Sequence, residues 1–141
     1  ATQKSTYADA HASRAIDGTT DGEYTKGSVS HTADGTDDPW WEVDLLSAQP
    51  LEKIVVWNRV ETAERLEGFR LIALDENRQP VWEKSSLPAA RTAAFNIDGG
   101  RPLLAIFRMN AASAVLSLAA AALGAHLGAQ WQAQRTMRAT A

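Results

Sequence analysis

An all-β fold, an antiparallel jelly-roll sandwich, is predicted by three observations. About seven or eight short apolar runs of strand length follow one another from Trp41 onward. Turn signals such as Asp75-Glu76-Asn77 and Asp98-Gly99-Gly100 separate them. The first third of the chain, residues 8 to 40, is rich in Asp, Gly, Thr and Ser and reads as long ordered loop rather than helix.

Each element has its own reason. Trp41, Val43 and Leu45 alternate with Glu42 and Asp44, the period of a strand with one buried face. Ile54 to Trp57 is a β-branched run with polar flanks, expected to be buried on both faces. Phe69 to Leu74 is similar and is interrupted only by Arg70. Pro80 suits the start of a strand through Val81-Trp82. Ala93 to Ile97 and Leu103 to Met109 follow. Propensity alone makes residues 111 to 123 helical, because Ala119 to Ala122 are alanines. The tryptophans Trp40, Trp41, Trp57 and Trp82 fall within strand patterns and are expected in the core.

The 141 residues suit one domain with an appendage. That domain spans 1–124; residues 125–141, rich in Ala and Gln, read as a tail or linker outside it. Trp131 has no assigned role, and His11 and His126 are expected to be exposed. The net charge is −3, so the basic footprint of a nucleic-acid binder is absent. There are no cysteines, which excludes disulfides and zinc–thiolate sites. The opening, Ala1 to Tyr7, is polar and does not read as a secretory leader. The apolar run near 111–125 is shorter than the roughly 18 residues of a membrane span, so no membrane insertion is expected. No metal-binding His pair, phosphate loop or nucleophile motif stands out, and an enzyme is not expected.

Several short pieces occur in a telling order. They are Ala1-Thr2-Gln3, Ala15-Ile16-Asp17-Gly18, Gly27-Ser28 through His31-Thr32, Pro39-Trp40-Trp41-x-Val43-Asp44-Leu45, Asn58-Arg59 and Glu64-Arg65-Leu66-x-Gly68. Together they resemble the F-type lectin (fucolectin) branch of the discoidin, or coagulation factor 5/8 type C, family. The resemblance runs from Ala1 to about Gly124. It implies a galactose-binding-domain-like jelly roll with a recognition site on the loops at one end. It also favours a strand at Val115 to Leu123 over the helix that propensity suggests.

F-type lectins bind L-fucose through a His, then Arg-x-Asp, then Arg or Lys. By that resemblance His31, Arg59 and Arg65 are the sugar-binding cations and donors, and Glu61 takes the Asp place. Tyr7 and Tyr24 lie in segments that border the site and supply its apolar wall. This chain departs from the pattern twice. Three residues rather than four separate Glu61 from Arg65, and Thr62-Ala63 stand where better-known members carry adjacent cysteines. The residues also admit plainer roles. Arg59 and Arg65 can pair with Glu61 or Glu64, and His31 can cap a loop.

The resemblance further implies a structural Ca²⁺ held by the side chains of Asp17 and Ser28 and the carbonyls of Arg14, Thr19 and Ala119. The family's acidic ligand in the last strand falls on Ala120, so this cofactor is expected to be weakly held. Asp21-Gly22-Glu23 reads as a solvated turn. The expected function is a carbohydrate-binding module for fucosylated glycans. It is expected in a secreted or cell-surface protein, with other domains of a larger chain as further partners. The alternative is a discoidin-like module that binds protein or polysaccharide, or acts as a spacer, without binding fucose.

Overall fold

The computed structural model describes residues 1–47, 49–51, 53–97, 102–103, 106–110 and 117–123. The chain forms strands β1 (Thr2–Gln3), β2 (Ser30–His31), β3 (Trp40–Asp44), β4 (Gln49–Pro50), β5 (Lys53–Asn58), β6 (Phe69–Leu74), β7 (Pro80–Leu87), β8 (Thr92–Asn96), β9 (Pro102–Leu103), β10 (Ile106–Asn110) and β11 (Ser117–Leu123). One sheet has the order β1-β3-β10-β6-β7 and the other β2-β11-β5-β8. A short ribbon pairs β4 with β9. Every pairing is antiparallel. The sandwich expected from the strand pattern is what forms.

Alternation decides which residues enter the core. Trp41 and Val43 of β3 and Phe69, Leu71 and Ala73 of β6 face Ile54 and Val56 of β5. Leu51, Leu66, Ile97, Ala12 and Ala15 complete the cluster. Phe69 meets Phe95 of the other sheet edge-on, at 6.1 Å between ring centroids. The Trp41 indole donates to the Ala12 carbonyl at 3.0 Å. That bond ties the loop region to the first sheet without leaving a buried donor unsatisfied.

Three expectations need correcting. β5 is not buried on both faces: Val55 and Trp57 are half-buried and alternate with the buried Ile54, Val56 and Asn58. Trp40 and Trp57 lie outside the core cluster, because each neighbours a residue that takes the inward position. Trp82 is half-buried and packs against the core, while Val81 is 49% exposed. The loop region also contains single 3₁₀ turns at Ala12–Ile16 and Tyr24–Lys26.

The alanine run of β11 is a strand, against its local propensity. β2 pairs with its start at Ser117 and Leu118, and β5 pairs with Ala120 to Ala122 on the other side. Pairing in the sheet satisfies backbone groups there, which outweighs a propensity difference of about 1 kcal/mol or less per residue. The register shifts between Leu118 and Ala120. The proposed tail, with His126 and Trp131, and the Asp98-Gly99-Gly100 turn lie outside the described residues.

Candidate functional site

The site is built where β2 and β5 end on either side of β11. Leu118 of β11 is opposite Ser30 on one side and Asn58 on the other. His31 and Arg59 therefore leave strands two places apart, about 10 Å in the hydrogen-bonding direction.

Each segment is then fixed by named bonds. The His31 N–H donates to the Ala10 carbonyl at 3.0 Å. Its carbonyl accepts from the Tyr7 N–H at 2.9 Å and from Gln3 Nε2 at 3.1 Å. These bonds clamp residues 7–10 onto β2 and bring the Tyr7 ring to 5.1 Å from the imidazole. Across β11, Asn58 Nδ2 donates to the Ala63 carbonyl at 2.8 Å and closes the loop that carries Arg59 and Glu61. A 3₁₀ turn at Ala63–Leu66 follows, anchored by buried Leu66.

That anchor presents Arg65 to His31. Arg65 Nη1 lies 3.1 Å from His31 Nε2, and His31 Nδ1 lies 2.5 Å from the Thr32 carbonyl oxygen. A guanidinium only donates and a carbonyl only accepts. Nδ1 therefore carries the hydrogen and Nε2 offers its lone pair. The imidazole is neutral: burial holds its pKa below the usual value, and the Arg59 and Arg65 charges add to this against the Thr32 carbonyl and Asp34.

Arg59 completes the ring of side chains. Its Nε donates to Glu61 Oε2 at 2.9 Å, and its guanidinium carbon stands 4.4 Å from the centre of the Tyr24 ring. The other Glu61 oxygen accepts from the Tyr24 N–H at 2.9 Å. Burial opposes the Glu61 charge, but the bonds from Arg59 and Tyr24 prevail and hold its pKa below the ordinary range. Tyr24 meets His31 edge-on at 5.9 Å and lies 6.3 Å from Tyr7. His31, Arg59, Arg65, Glu61, Tyr24 and Tyr7 are thus brought together. The ion pair between Arg59 and Glu61 is also present, as the plainer role required.

In Asp21-Gly22-Glu23 the two carboxylates reach solvent, while the backbone at Gly22 is packed. Gly22 is buried at φ +76°, and a Cβ there would stand 2.7 Å from the Asn58 carbonyl oxygen. The Gly22 carbonyl accepts from the Val60 N–H at 3.0 Å. Gly22, Gln3 and Asn58 position the site, yet none was singled out for that role. Gln3 and Asn58 belong to the short ordered pieces of the sequence, whereas Gly22 carries no signal beyond the turn character of Asp21-Gly22-Glu23.

Around the expected cation loop, Asp17 Oδ1 accepts from the Thr19 N–H at 2.7 Å. The Ser28 hydroxyl, buried, donates to Asp21 Oδ1 at 2.6 Å. That bond is the main reason the Asp21 pKa lies below its usual value. The Arg14 guanidinium pairs with Asp9 at 2.7 Å. The strand carrying Ala119 runs beside the 12–16 turn. Among the described residues no group of three or more His, Cys, Asp or Glu is placed to hold a metal ion. Asp17 is the sole carboxylate of the expected set, which leaves little anionic charge for an ion that takes six to eight oxygens.

Residues 14–101 match the F5/8 type C family model described as a NedA-like, galactose-binding domain. The chain belongs to this family. Within it, the chain resembles the F-type lectin branch. The chain is 42% identical over 64 residues to Fucolectin-4 of Anguilla japonica, which is 45% of this chain and 35% of that protein. The chain thus matches about a third of that relative's length. A fucose binding module of Streptococcus pneumoniae superposes with a TM-score of 0.79 at 28% identity, covering 87% of this chain and 88% of that one. The lectin domain of Lectinolysin, solved with Lewis B antigen, gives a TM-score of 0.77 at 29% identity over 86% of this chain and 88% of that one. These relatives are, by name, a fucolectin, a fucose binding module and a lectin domain.

Proposed function

We propose that this F-type lectin domain binds L-fucose at the ends of glycans through His31, Arg59 and Arg65. The observation that carries this reading is the contact between His31 Nε2 and Arg65 Nη1 at 3.1 Å, with Arg59 on Tyr24 beside it. Arg59 and Arg65 present forks of N–H donors to neighbouring hydroxyl oxygens. Neutral His31 supplies an acceptor among those donors: a bound hydroxyl takes over the Nε2 lone pair that now faces Arg65 Nη1 and accepts in turn from an arginine. The sugar methyl needs an apolar surface, which the Tyr7 and Tyr24 rings provide. The site makes and breaks no covalent bond.

Partners are fucosylated glycans, which lie outside cells or on their surfaces, and the protein acts there. A single site of this kind is weak. Tight binding needs repeats or a multivalent parent chain.

The second reading, a discoidin-like interaction or spacer module, is favoured by one feature. Arg59 is already paired with Glu61 and stacked on Tyr24, as a structural arginine would be. Calorimetric titration with L-fucose separates the two. Saturable binding that is lost in Arg65→Ala supports the lectin reading. A folded protein with no fucose heat, and no fucosylated hit on a glycan array, supports the other.

A further inference from the structure

The charge arrangement at the rim of the sugar site deepens the fucose-binding reading and rests on it. Fucose in a glycan is joined to further sugars, and these must leave the site over its rim. The turn around Tyr24 is one wall of that rim, the Tyr7–Asp9 segment another, and the Glu61 loop a third. The cations on these walls are tied to carboxylates. Lys26 pairs with Glu23 at 2.9 Å and lies 3.7 Å from Asp21. Arg14 pairs with Asp9 at 2.7 Å, and Arg59 with Glu61 at 2.9 Å. Lys26 thus faces two carboxylates, and the Asp34 charge is also felt at His31. The imidazole itself carries no charge.

We infer that the site discriminates by charge: it accepts neutral fucosylated glycans and disfavours those with a carboxylate or sulfate on a sugar next to the fucose. An anionic group there meets carboxylates whose neighbouring cations are already engaged. It can gain Lys26, Arg14 or Arg59 as a partner only by breaking an existing ion pair. The carboxylate of each pair is solvent-exposed, so the effect is moderate and screened by salt.

The test is a pair of titrations with one neutral fucosylated oligosaccharide and its sialylated or sulfated counterpart, at low and high salt. At low ionic strength the anionic compound should bind about fivefold more weakly, with the gap closing above about 0.5 M salt. Glu23→Gln frees Lys26 from its closer partner. It should narrow the gap at low salt while leaving neutral binding unchanged. Equal affinities at low salt overturn the inference while leaving fucose binding intact. A gap that ignores both salt and Glu23→Gln also overturns it, because the cause is then steric. If neither compound binds, the fucose-binding reading itself falls.

Discussion

His31 and Arg65 are 34 positions apart in sequence, yet Nε2 of one and Nη1 of the other are 3.1 Å apart. The contact joins the end of β2 to the 3₁₀ turn after β5. It fixes the tautomer of a neutral histidine between two arginines. That one relationship makes the site sensitive to pH and to either partner's removal.

Lowering the pH should weaken both the fold and sugar binding. The His31 pKa is depressed from 6.5 in the folded chain, by burial first and then by the neighbouring arginines. The unfolded chain then binds the proton more readily, so the stabilising contribution is complete above pH 6.5 and is lost as pH falls below it. Protonation also turns Nε2 from acceptor to donor and sets it against Arg65. Fucose affinity measured from pH 8 to 5 should hold above 6.5 and decline below. A decline that is already complete at pH 6.5 would contradict a depressed His31 pKa at the site.

Replacing Arg65 by Ala should remove fucose binding. Losing a hydrogen bond from a charged donor costs about 1–3 kcal/mol, enough to erase detectable binding of a weak ligand. The folded state should survive, since Arg65 is only half-buried. Circular dichroism and calorimetry on the same sample check both halves.

Tyr24→Phe should retain sugar binding, and Tyr24→Ala should lose it. Phe keeps the ring under Arg59, whereas Ala removes both the wall and a cation–π contact of about 0.5–1 kcal/mol. Equal affinities for Tyr24→Ala and the parent would place the methyl elsewhere.

Gly22→Ala should destabilise the protein and impair the site together. The position has φ +76°, and the new Cβ would stand 2.7 Å from the Asn58 carbonyl oxygen. The loop must shift, which costs more than about 1 kcal/mol and moves Tyr24 and Arg59 with it. A melting curve that matches the parent's would contradict this packing.

Calcium should matter little to stability. The expected donors offer one carboxylate, and the Ser28 hydroxyl already donates to Asp21. At about 1 mM Ca²⁺ and a Kd of about 1 mM the gain is about 0.4 kcal/mol, a melting shift of no more than about 2 °C. A large fall in melting temperature on adding chelator would show that other oxygens complete a cage.

The alternation of Trp41 and Val43 marked β3, because a two-residue period selects one buried face, and the continuous apolar run of Phe69 to Leu74 marked β6, which is buried on both faces from Leu71 to Leu74. Sequence order also brought out His31, Arg59 and Arg65, through their resemblance to a known motif. What the sequence left open was set by position in the sheets. The alanines of β11 are extended because β5 pairs with Ala120 to Ala122, while β2 holds the start of the strand at Ser117 and Leu118. Trp57 is not core because its neighbours Val56 and Asn58 take the inward positions. Gln3, Gly22 and Asn58 hold the site through contacts with residues distant in the chain, which no local pattern encodes. The tautomer of His31 and the pairing of the rim cations follow from the same cause: hydrogen bonds and charges act through space, and the tertiary fold decides what is near.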